Sequence, residues 1–105
     1  MRRRIIFAVD SPLGYRVVLD RDRWRQIVRF KHPALQGKEQ LLRHCVAAPD
    51  LIRESAKDEQ VHLHYRRIDT AHLCVVVAPM KANEFFVVTA YFTKELKKGR
   101  TLWTK

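Results

Sequence analysis

The sequence predicts an α+β domain, with N-terminal helices packed on one face of a four- to five-stranded antiparallel sheet. Three observations carry that expectation. Glu84–Thr93 (EFFVVTAYFT) is an unbroken run of aromatic and β-branched residues without Gly or Pro, the pattern of a central strand. Val61-His62-Leu63-His64-Tyr65-Arg66-Arg67 alternates apolar and polar residues at the two-residue period of a strand. Upstream, Trp24, Ile27, Val28 and Lys31, and then Leu41, Leu42, Cys45 and Val46, recur at helical spacing. A chain of 105 residues supports one hydrophobic core, so a single domain spanning 1–105 is expected.

In chain order, Ile5–Val9 and Tyr15–Leu19 are short β-branched runs separated by the turn-forming Ser11-Pro12-Leu13-Gly14, which reads as a hairpin. Asp20 offers an N-cap to a helix from about Arg21 to Lys31, with Asp22 in its first turn and His32-Pro33 ending it. A second helix opens after Gly37 and stops at Pro49-Asp50. Leu51–Ser55 follows, then the alternating strand, a turn at Asp69-Thr70 and a returning strand His72–Ala78. Pro79–Asn83 turns the chain into the central strand, Lys94–Arg100 is a basic exit, and Thr101–Trp103 adds a last short strand. The expected register sets Leu73, Val75 and Val77 on the core side with Val61, Leu63 and Tyr65, and sends His62, His64 and Arg66 outward. In the central strand Phe86, Val88, Ala90 and Phe92 would face the helices, leaving Phe85, Val87, Thr89 and Tyr91 in front.

Twenty-one Lys and Arg against eleven Asp and Glu give a formal charge of +10, so a polyanion or an anionic surface is the first partner expected, and charge alone does not say which. Cys45 and Cys74 lie far apart in apolar contexts, as free buried thiols of a cytoplasmic protein do, rather than in the dense spacing of a disulfide scaffold. The apolar run after the three N-terminal arginines stops at Asp10, too short for a secretory signal. No run reaches membrane-spanning length, so no membrane partner is expected. Walker loops, dinucleotide fingerprints, nucleophile elbows and paired carboxylates are absent from the sequence.

Cleaving RNA without a metal requires a base for the ribose 2′-hydroxyl, cations for the developing charge and an acid for the leaving oxygen. His64, Arg66, Thr89 and Tyr91 on a shared sheet face, with Lys97 and Lys98 just past the central strand, could supply them. The competing reading is an ordinary solvated face of a basic protein. His62-x-His64 and His72-x-Cys74 imitate two metal-ligand pairs, without a carboxylate to orient the rings; no metal and no cofactor are expected.

The ordered set Trp24-x-x-Ile27, His32-Pro33, Pro49-Asp50-x-Ile52, Tyr65-Arg66-Arg67, Val75-Val76-Val77, Phe86–Tyr91 and Lys97-Lys98-Gly99 followed by Trp103 resembles the small phage-associated branch of the barnase, EndoU, colicin and RelE-like nuclease superfamily. The resemblance covers about Tyr15 to Trp103. It implies N-terminal helices against a four-stranded antiparallel sheet and metal-independent RNA cleavage by a toxin or effector, with an antitoxin or immunity protein as a further partner. Carried over by chemical match, it implies Arg66 for phosphate, Thr89 and Tyr91 for positioning or proton transfer, His32 or His64 as base or acid, and Arg67, Lys97 and Lys98 for substrate binding. One departure is Gln26, where relatives often carry a histidine; if that histidine is catalytic in them, this chain binds RNA without cutting it. A non-catalytic module stacking bases on Phe85 and Tyr91 is therefore the alternative.

Overall fold

The computed structural model describes residues 4–105, so Met1–Arg3 of the basic start lie outside the described residues. Seven strands form: β1 (Ile5–Asp10), β2 (Arg16–Asp20), β3 (Leu51–Glu54), β4 (His62–Ile68), β5 (Ala71–Lys81), β6 (Glu84–Thr93) and β7 (Thr101–Thr104). Between β2 and β3 lie helix α1 (Arg21–Gln26), a π-helical turn (Ile27–Lys31), a 3-10 turn (Pro33–Leu35) and helix α2 (Glu39–Ala47). One sheet holds all the strands in the order β1-β2-β6-β5-β4-β3-β7.

This corrects the expected four- to five-stranded antiparallel sheet behind N-terminal helices. The β1–β2 hairpin does form, but β2 then runs parallel to β6, pairing Arg16–Val18 with Glu84–Phe86, so the sheet is mixed. β3 and β7 extend the opposite edge, both antiparallel to their neighbours. The cause is satisfaction of the ladder: β6 is long and apolar, and on the side away from β5 its first residues, Glu84–Phe86, find their N–H and C=O partners in β2. The helices are an insertion between strands, not a layer that precedes them.

Local signals set the inserted segment. Asp20 caps α1, its Oδ1 accepting from Arg23 N at 2.8 Å. The helix then widens into the π-helical turn, closed by His32 N donating to Ile27 O at 2.7 Å, and Pro33 starts the 3-10 turn. Trp24, Ile27 and Leu35 from this segment, with Leu42, Cys45 and Val46 of α2, bury against Val17, Leu19, Leu73, Val75, Val77, Val87 and Ala90 of the sheet.

Register is where the sheet departs most from expectation. The loop joining β4 to β5 is the two residues Asp69-Thr70, flanked by the pair Ile68 and Ala71, so even-numbered residues of β4 oppose odd-numbered residues of β5. His62, His64 and Arg66 thus share the helix-covered face with Val77, Val75 and Leu73, while Leu63 and Tyr65 share the other face with Val76 and Cys74. A β-bulge in β6 adds a second departure. The pairing slips between Val76 and Val77, and the core face of β6 reads Phe85, Val87, Ala90, Phe92 instead of one unbroken alternation.

Lys94–Arg100 leaves β6 and crosses β5, β4 and β3 to reach β7. It passes over the second face: Leu96 packs with Leu63, Tyr65 and Cys74. Gly99 is required where this strap meets β3, because a Cβ there would collide with the Glu54 carbonyl oxygen. Glu54 N donates to Arg100 O at 2.8 Å and the Arg100 guanidinium meets the Glu54 carboxylate at 2.7 Å, which pins the strap's far end.

Candidate functional site

The second face, crossed by the strap, gathers Thr89, Tyr91 and Lys97 of the residues nominated above. Along it, register aligns Leu51 and Arg53 of β3 with Tyr65 and Leu63, then with Cys74 and Val76, then with Tyr91 and Thr89 of β6. The strap supplies the cation: Lys97 Nζ lies 5.3 Å from the centroid of the Tyr91 ring, and Lys97 N donates to the Tyr65 hydroxyl at 3.1 Å. Arg53 Nη1 donates to Lys97 O at 2.9 Å, so the lysine's backbone is held from both sides. From the inserted segment, the His32 ring centroid stands 5.8 Å from that of Tyr91. His32 and Tyr91 together line an open cleft of about 370 Å³ with Lys31, Pro33, Ala34, Leu35 and Phe92.

Four polar atoms around this face have no nitrogen or oxygen partner: Tyr91 Oη, Thr89 Oγ1, His72 Nδ1 and Arg53 Nε. Polar groups withdrawn from water normally find one. Burial also sets the protonation of the two phenols and of the Cys74 thiol. Burial, and next the neighbouring Cys74 thiol, push the Tyr91 phenol well above its usual value; burial raises Tyr65 to about 12 and Cys74 to about 11. At neutral pH both phenols are therefore protonated and unable to act as bases, and both hydroxyls are hydrogen-bonded to the Cys74 thiol.

The helix-covered face holds the histidines that the sequence places outward. His64 is 0 % exposed, its Nε2 hydrogen-bonded to the buried Ser11 Oγ at 2.9 Å and its Nδ1 unpartnered. Burial lowers its pKa to about 3, so the ring is neutral. Beside it, Tyr15 Oη bonds His62 Nδ1 at 2.8 Å and the Tyr15 ring stacks on Phe85 at 3.7 Å between centroids. Ser11 also accepts from Leu13 N and so shapes the β1–β2 turn, which makes this cluster a latch between that hairpin and β4.

Of the residues the sequence nominates, Thr89, Tyr91, Lys97 and His32 are brought together. His64 and Arg66 are not: His64 is in the core, and Arg66 Nη1 donates to Ala48 O, capping the C-terminal end of α2. Arg67 shares the parity of Tyr65 but is engaged at the hairpin end, its N donating to Asp50 Oδ2 at 2.7 Å and its Nε to Asp69 O at 3.2 Å. Lys98 is exposed on the strap. Phe85 is unavailable for stacking a base because Tyr15 covers it. The two metal-like pairs point to opposite faces, His62 and His64 to the helix-covered face and His72 and Cys74 to the second face, and among the described residues no group of three His, Cys, Asp or Glu could hold a metal.

Arg53, Tyr65, His72 and Cys74 are the residues that sequence reasoning missed. The two-residue Asp69-Thr70 loop was the available signal, since its length alone fixes which residues of β4 oppose which of β5. No protein-family model, no curated protein and no solved structure matches this chain, so the site rests on its own geometry.

Proposed function

We propose that this protein binds single-stranded RNA in the cytoplasm through the cleft between His32 and Tyr91, with the strap lysines on the phosphates. One observation carries the reading: the Tyr91 ring lines an open cleft with the cation of Lys97 5.3 Å and the imidazole of His32 5.8 Å from its centroid. A stacking surface and cations are what single-stranded recognition requires, and the +10 charge supplies long-range attraction. Free buried thiols at Cys45 and Cys74 suit a reducing compartment.

The test is an anisotropy titration with a short labelled RNA at several salt concentrations. Lys97→Ala should reduce the slope of log affinity against log salt by about 0.7, and Tyr91→Ala should weaken binding by about tenfold. Salt-independent binding, or both variants matching the wild type, would refute the reading.

Cleavage by 2′-hydroxyl attack is a second reading, favoured by the same His32–Tyr91–Lys97 grouping, in which His32 would be the base and Lys97 the phosphate cation. The withdrawal of His64 and Arg66 from this face removes two of the six groups first assigned to the acid, base and cation set, and ranks cleavage second. Incubation with RNA in EDTA decides: fragments ending in 2′,3′-cyclic phosphate support cleavage, and intact RNA at high protein concentration rejects it.

A further inference from the structure

The π-helical turn Ile27–Lys31 presents Phe30 at 74 % exposure. In an ordinary α-helix, Phe30 would return to the side of the buried Ile27 three residues earlier; the wider winding rotates it outward instead. A lone exposed aromatic is common on protein surfaces, but this one has company. The Arg29 guanidinium lies 5.4 Å from its ring centroid. Beside it opens a cleft of about 580 Å³ lined by Trp24, Arg25, Val28, Arg29, Pro33 and Gln36. The charged groups on that lining are all cationic. Pro33 is a wall of this cleft and also of the cleft holding His32 and Tyr91, so the two clefts are neighbours across one residue.

The geometry points to a second nucleobase subsite at Phe30, continuing the RNA path from Tyr91 over Pro33 onto the π-helical turn. This rests on the RNA-binding reading and extends it. The base stacks on the exposed ring of Phe30 or enters the cleft against Val28 and Trp24, and Arg25 and Arg29 take the adjoining phosphates. Arginine suits that task because its planar guanidinium pairs with phosphate and stacks on rings. RNA is the occupant that fits because it alternates flat apolar faces with negative charge, as this surface alternates ring and guanidinium; an acidic peptide matches the charge alone.

Oligouridylates from roughly 4 to 16 nucleotides, the span of sites known for single-strand binders, are titrated against the full chain. Affinity of the wild type should rise with length, then level. Phe30→Ala should lose about tenfold on the longest oligomers and nothing on the shortest, Phe30→Trp should retain the gain, and Arg29→Ala should lower the salt slope on long oligomers only. Phe30 and Arg29 are both exposed, so the fold of each variant is secure and is checked by its melting curve. Variants that match the wild type at every length overturn this subsite while leaving the Tyr91 cleft intact. No binding at any length overturns both, and binding of an acidic peptide at Phe30 without RNA binding there overturns the assignment of its occupant.

Discussion

His64 shows how one side chain can invert an expectation. An imidazole on an alternating strand reads as solvent-facing, yet here it is buried, hydrogen-bonded to Ser11 and kept neutral. Its folded pKa of about 3 lies below the ordinary 6.5, so the unfolded chain takes up a proton that the native state refuses. Stability should therefore fall as pH drops through 6.5 and continue falling toward 3, by about 1.4 kcal/mol per pH unit from this ring alone, or about 2 kcal/mol at pH 5. The His62 pKa is depressed in the same direction, again chiefly by burial, and adds to the loss. Urea midpoints at pH 7 and pH 5 check this; equal midpoints would contradict it. Ser11→Ala leaves His64 Nε2 buried without a partner and should cost about 1 to 3 kcal/mol, read from the shift in urea midpoint at pH 7.

At the scale of elements, the sequence disclosed where segments begin and end better than which way they face. Asp20 as N-cap, His32-Pro33 as helix stop, Asp69-Thr70 as turn and Thr101–Trp103 as a strand are all present, because caps, prolines and turn residues act locally. Facing is set by longer-range facts. The bulge in β6 transfers Val87 to the core, and the strap shields the second face, so β4 is buried on both sides and its polarity pattern no longer tells inside from outside. That is why Thr89, Tyr91 and Lys97 were legible as a site and Tyr65, His72 and Cys74 were not. Gly99 is the strap's weak point: Gly99→Ala forces a backbone collision with Glu54 and should cost on the order of 2 kcal/mol, with faster hydrogen exchange in β3 and β7. Unchanged exchange there would show that the strap end is not held as described.

For the whole molecule, the parallel joint between β2 and β6 is what carries the inserted helices to the site. β2 ends at Asp20 after pairing only the first residues of β6, and the chain then continues beside the rest of β6, with Arg23 over Phe86 at 5.4 Å and His32 at Tyr91. Nothing local in β2 announces that pairing, so the mixed topology was illegible from sequence while the α+β content was plain. Among the described residues no helix is long and apolar enough to cross a membrane. The most direct test of where RNA lies is ultraviolet cross-linking of a 4-thiouridine oligomer to the full chain, with the attached peptides identified by mass spectrometry. Cross-links are expected on the peptides containing His32 and Tyr91; cross-links confined to β1 and α2, neither of which lines this cleft, would contradict its assignment.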